Sequence, residues 1–158
     1  MPENAEATRD VATVERLIAA PAETIFDLLA DPARHAEIDG SGTVRGVSES
    51  EGQRLALGDK FGMSMHMGVG YTMVNEVVEF EENRLIAWQP RPTVGLLRPF
   101  VGGRIWRYEL MPQDGGTLVR ESWDIRHERV PLMVRPMRSR TVDAMTKTLE
   151  RLASVVEG

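Results

Sequence analysis

Hydrophobic and polar positions along the chain alternate at first, then step by three and four. They alternate again for most of the length and end in a long helical pattern. From Val11 to Ile18, β-branched residues put Val14, Arg16 and Ile18 on one side and Thr13, Glu15 and Leu17 on the other, which predicts a strand. In the next segment Ile25, Leu28 and Leu29 recur at helical spacing, Pro21 suits a first turn, and Glu23 complements the positive end of the helix dipole. Asp31 can cap a second short helix that Pro32 opens and Gly40 and Gly42 close. Strands are then predicted at 43–50, 60–67, 71–81, 84–90, 103–111 and 117–126, separated by glycine-rich or Asp-Gly punctuation. Between them, 91–102 carries two prolines with Leu96, Leu97, Phe100 and Val101, and reads as a loop that lids a site. Val134, Met137, Thr141, Met145, Leu149, Leu152 and Val156 predict a last helix from Pro136 to about Val156, roughly 30 Å long.

Strand parity identifies the inner face. Phe61, Met63, Met65 and Met67 share one side of their strand, opposite Gly62, Ser64 and His66. A three-residue loop at 68–70 would set Met67 against Tyr71, Met65 against Met73, Met63 against Asn75 and Phe61 against Val77. Val78 and Phe80 break parity with Val77, which predicts a β-bulge that bends the sheet. Trp106, Tyr108 and Leu110 share a face, as do Val119, Glu121, Trp123 and Ile125. A two-residue Asp114–Gly115 turn would pair Tyr108 with Glu121 and Trp106 with Trp123.

Glu121 is the odd residue on this aromatic face. It reads either as a partly solvated or arginine-paired carboxylate near an edge, or as a polar handle inside a cavity. In the second case burial raises its pKa, and Tyr108 or a ligand is its partner. The methionines likewise read as core filling or as a malleable cavity wall, since the thioether adapts to several partners.

Composition narrows the choices. The chain has 158 residues, 42% hydrophobic and 27% charged, which suits a flexible tail at 1–10 and one domain at 11–158. It contains no cysteine, which excludes disulfides, thiolate metal sites, iron–sulfur clusters and cysteine nucleophiles. His35, His66 and His127 have no histidine three or four residues away, and neither a metal nor a cofactor is expected. A net charge of −5 opposes nucleic acid and anionic membrane surfaces as partners. No apolar run reaches the roughly 18 residues of a membrane span, and MPENAEATRD lacks the order of a secretory signal, so a cytoplasmic protein is expected. No phosphate loop, nucleophile elbow or paired-histidine helix is present. Glu49, Glu51, Glu81 and Glu82 fall beside turns and read as solvated. Arg135, Arg138 and Arg140 read as a solvated helix entrance, with a clasp for an anionic head group as the alternative.

The order of strand, two short helices, six strands and a long helix resembles the helix-grip fold of the SRPBCC superfamily, which includes StAR-related lipid-transfer and polyketide cyclase/dehydrase-like proteins. The resemblance covers residues 11 to 157. It is carried by VERLIAAPAETIFDLLADPARHAEID at 14–39, LGDKFGMSMHMG at 57–68, VVEFEENRLIAW at 77–88, RIWRYEL at 104–110 and GGTLVRESWD at 115–124. It implies an α+β domain: a curved seven-stranded antiparallel sheet wrapped around the C-terminal helix, with an apolar cavity between them. It supplies no catalytic residue, and the fold alone does not choose a function.

The function expected first is binding of a hydrophobic small molecule, a lipid or polyketide-like aromatic. The expected lining comprises Phe61, Met63, Met65, Tyr71, Met73 and Asn75 on the first hairpin, and Trp88, Trp106, Tyr108, Glu121 and Trp123 on the later strands. Met137 and Met145 complete it from the helix. An enzyme of the polyketide cyclase/dehydrase type would use Glu121 as base, with Tyr108 and Asn75 or His66 as polarising partners, although parity points His66 away. A homodimeric interaction module with a filled core is the third reading.

Overall fold

In the computed structural model the first alternating segment forms β1 (Val11–Ile18), and the first helical one forms α1 (Ala22–Leu29). The structure describes residues 10–40, 44–46, 54–67, 69–92 and 103–157, with side chains described except at 44–46, 63–67, 69–73 and 91–92. Asp31 accepts a hydrogen bond from the Ala33 amide at 3.1 Å and caps a 3₁₀ turn, Pro32–Arg34, that runs into α2 (His35–Ile38). Then follow β2 (Val44–Gly46), β3 (Lys60–Met67), β4 (Val69–Glu81), β5 (Leu85–Pro92), β6 (Ile105–Gln113) and β7 (Gly116–Asp124). The chain closes with α3 (Pro131–Val134), a 3₁₀ turn at Arg135–Met137, and α4 (Arg138–Glu157).

These strands form one antiparallel sheet in the order β1-β7-β6-β5-β4-β3-β2. Six strands have eight or more residues, and β2 is a three-residue edge. With the long C-terminal helix laid across β1 and β7, this is the α+β helix-grip architecture. The predicted strand 43–50 is described only at Val44–Gly46, its other residues lying outside the described set. Likewise β5 runs on to Pro92, so two residues assigned to the loop 91–102 belong to the sheet, and the rest of that proposed lid lies outside the described residues.

The β3–β4 hairpin is tighter than predicted. Pairing continues to Met67 opposite Val69, so Met65 faces Tyr71, Met63 faces Met73 and Phe61 faces Asn75. Gly70 pairs with His66 inside the ladder instead of loosening a loop. The shift is an even number of residues, so each strand keeps its faces and only the partners change. The register does slip between Val77 and Glu79, where the parity break predicts a bulge. At the β6–β7 turn Gln113 pairs with Gly116. Gly115, at φ +87°, takes the left-handed conformation that the two-residue loop requires.

Helix α4 buries Thr141, Met145, Thr148, Leu149, Leu152 and Ala153. Its seam continues less far than predicted. Met137 is 37% exposed, because Pro136 lies in a separate 3₁₀ turn whose tighter winding carries Met137 off the stripe. Gly40 fixes where α4 crosses α2. Its amide donates to Thr148 Oγ1 at 2.9 Å, and a Cβ there would overlap the Ala144 carbonyl and the Thr148 amide. Asp10, assigned to the flexible tail, is instead 7% exposed. Its carbonyl accepts from the Ile125 amide at 2.9 Å, and its carboxylate receives Arg135 Nε and Nη2 at 2.9 and 3.1 Å. The Arg135 of the proposed head-group clasp is therefore a structural partner of the N-terminal strand.

Candidate functional site

The helix-covered face of the sheet carries two hydrophobic clusters. The larger joins Ile25, Phe26, Leu28 and Leu29 of α1 to Phe61, Trp88, Tyr108, Val119 and Leu149. The smaller joins Ala12, Trp123, Ile125, Val134 and Met145. Val14 and Trp106 pack against both. Along β7, Val119 belongs to the first cluster and Trp123 to the second, so the same-face residue between them, Glu121, sits where the two meet.

Glu121 is 1% exposed and lies opposite Tyr108 in the β6–β7 register and opposite Val14 in the β1–β7 register. This is the pairing that the Asp114–Gly115 turn predicts, and Trp106 faces Trp123 beside it. The carboxyl and the Tyr108 hydroxyl are hydrogen-bonded, and Glu121 Oε1 is buried with no partner. Burial drives the Glu121 pKa from its ordinary 4.5 to about 8, the Tyr108 hydrogen bond opposes the rise, and the nearby Asp39 charge adds to it. Burial, with the Glu121 carboxyl second, holds the Tyr108 phenol well above its usual range. At neutral pH both groups are therefore protonated. The edge-solvated and arginine-paired readings of Glu121 do not hold.

His35, which parity arguments pass over because it lies in a four-residue helix, proves to be part of the same lining. It is 4% exposed, stacks on Trp88 with ring centroids 4.9 Å apart, and meets Phe61 edge-on at 5.4 Å. Trp88 in turn contacts Tyr108 at 5.5 Å, so one aromatic row links His35 to the Tyr108–Glu121 pair. His35 Nε2 lies 2.8 Å from the Leu29 carbonyl oxygen, and Nδ1 is buried without a partner. Burial lowers the His35 pKa, against the Leu29 hydrogen bond and the Asp31 charge, so the ring is neutral.

Of the other expected lining residues, Phe61, Asn75, Trp88, Trp123 and Met145 are buried, and Trp106 is partly so. Met137 is not part of the wall, for the reason given above. The side chains of Met63, Met65, Tyr71, Met73 and His66 lie outside the described set. Among the described residues no three His, Asp or Glu side chains cluster as metal ligands, and no helix is long and apolar enough to cross a membrane. A cleft of about 50 Å³ between β1 and α4, lined by Val14, Glu15, Arg16, Thr146 and Leu149, is far smaller than the roughly 300 Å³ of a ligand site.

The outer face of the sheet is built from charge. Asp124, with no exposed side-chain surface, is held by Arg126 Nη2 at 2.7 Å and Arg107 Nη1 at 3.3 Å, and Arg107 also binds Glu79 at 2.6 Å. All of these groups are paired with one another, and the network ties β4, β6 and β7 together on that face.

Comparison with known proteins agrees with this architecture. A protein of Chromobacterium violaceum, CV1439, superposes with a TM-score of 0.72 at 17% identity over 94% of this chain and 98% of its own. DynU16, from the dynemicin biosynthetic locus, gives 0.64 at 16% identity over 94% of this chain and 47% of its own. In sequence, uncharacterized protein Rv0088 of Mycobacterium tuberculosis is 38% identical over 93 residues, 58% of this chain and 37% of that protein. The chain thus spans about a third of the length of the curated relatives it matches. Residues 9–157 match the family described as polyketide cyclase / dehydrase and lipid transport, and the chain belongs to that family.

Proposed function

We propose that this protein holds an uncharged hydrophobic small molecule, a lipid or polyketide-like compound, between the sheet and α4, with the ligand's polar end at Glu121 and Tyr108. The observation that carries this reading is Glu121 Oε1, a buried carboxyl oxygen with no partner between Val119 and Trp123 on the inner face of β7. Such an atom costs roughly 1–3 kcal/mol, and a ligand hydroxyl or carbonyl would remove that cost. The neutral carboxyl provides no counter-charge, which disfavours an ionic guest. The lipid transport in the family's description agrees with this assignment. Native mass spectrometry of freshly purified protein should show an apolar adduct, and stripped protein should take up the uncharged fluorophore 6-methoxy-2-acetonaphthone. Absence of both overturns the proposal.

A second reading, a polyketide cyclase/dehydrase-type reaction, is favoured by the Glu121 pKa of about 8. A carboxyl protonated at pH 7 acts as an acid, not as the base that the sequence suggests. In an aldol-type closure an enol carbon of the substrate would attack the carbonyl carbon, and the C=O π pair would move to the oxygen and take the Glu121 proton. The enol O–H, becoming a carbonyl, would return a proton to the Glu121 carboxylate, which the Tyr108 hydroxyl supports meanwhile. Glu121→Gln should then keep substrate binding and lose turnover, whereas retained turnover excludes Glu121 as the acid.

A further inference from the structure

We infer that His35 Nδ1 is a second polar anchor of the same site, an obligate acceptor that selects ligands carrying a hydroxyl. The inference rests on the ligand-binding reading above and adds the polarity of the ligand. A backbone carbonyl can only accept, so the 2.8 Å contact from Nε2 to Leu29 O fixes the ring proton on Nε2. In a neutral ring Nδ1 then offers a lone pair and nothing else. The Trp88 face and the Phe61 edge hold the ring in one orientation, and Nδ1 is buried without a partner.

Proton counting gives the other end the opposite character. The neutral Glu121–Tyr108 pair holds two acidic protons and one internal hydrogen bond, so one O–H is left to donate whichever group donates to the other. The site therefore presents an acceptor at His35 and a donor at Glu121–Tyr108, joined by Trp88, which contacts both rings. The complementary guest is an uncharged aromatic with a hydroxyl at one end and a carbonyl at the other. A buried polar group left unmatched is what makes such sites discriminate against analogues that lack its partner.

The test compares 6-hydroxy-2-acetonaphthone with its methyl ether, which keeps the carbonyl and rings but cannot donate. The wild-type protein should bind the hydroxyl compound at least roughly tenfold more tightly. In His35→Phe, which keeps an aromatic ring against Trp88, the two should bind equally. In ¹⁵N-histidine-labelled wild-type protein, the hydroxyl compound alone should move the His35 Nδ1 resonance upfield, a readout that requires no variant. Equal binding of the two compounds to wild type, or an unmoved Nδ1 resonance, overturns the role of His35 and leaves the binding function standing. Binding of neither overturns both.

Discussion

Tyr108 and Glu121 face each other across the β6–β7 hairpin, hydrogen-bonded through a carboxyl whose other oxygen is buried without a partner. Burial outweighs the Tyr108 hydrogen bond, so the energetic balance goes to the protonated acid. That protonation state is the main chemical property of the site, and it has a consequence for stability.

Glu121 binds its proton more tightly in the folded than in the unfolded chain. Its contribution is complete below about pH 4.5, declines as pH rises toward 8, and is flat beyond. Glu121→Gln lacks this dependence. In urea unfolding the difference between variant and wild type should therefore move in the variant's favour by up to about 1.4 kcal/mol per pH unit between pH 5 and 8. A difference that stays constant over that range contradicts the assignment.

His35 works in the opposite direction. Its folded pKa is below the ordinary 6.5, so the unfolded chain takes up a proton first as pH falls, and stability is lost from 6.5 downward. The acid limb of the wild-type stability curve between about pH 6.5 and 5 should flatten in His35→Phe. An unchanged slope would mean that this histidine is not held neutral.

On the outer face, burial alone would raise the Asp124 pKa, but hydrogen bonds from Arg126 and Arg107 more than offset it and the net shift is downward. Its contribution is present above pH 3.8 and lost as pH falls through the lowered folded value. Asp124→Asn should cost roughly 3 kcal/mol at pH 7, since it leaves Arg107 and Arg126 short of a buried partner. A double-mutant cycle with Arg107→Met checks this, and a coupling near zero would mean that the pair is not linked.

Gly40→Ala should destabilise the protein by about 1–3 kcal/mol, as the added methyl must push α4 away from α2. Ser154→Ala, on the exposed side of the same helix, provides the control and should change stability by less than about 0.5 kcal/mol. Comparable thermal shifts in the two variants would show that the Gly40 contact is not tight.

Strand and helix placement was legible because burial imposes a period of two or of 3.6, and most of the chain obeys one or the other. Local chemistry was enough for the β6–β7 hairpin: Asp114–Gly115 allows a two-residue turn, the turn sets the register, and the register pairs Tyr108 with Glu121. The β3–β4 tip was not legible to the same degree. Glycines there fit either a loop or the end of a ladder, and local propensity does not distinguish the two.

The amino-acid order by itself therefore determined the element sequence, the inward faces of β6 and β7 and the acid on the aromatic wall. Those properties depend on neighbours a few residues away or on one tight turn. Only the tertiary structure decided that Glu121 is sealed from water, that Asp10 and Arg135 close the N-terminal edge, and that His35 stacks on Trp88, 53 positions distant in the chain. Desolvation and long-range ring contact depend on everything packed around a group, and no periodicity along the chain encodes them.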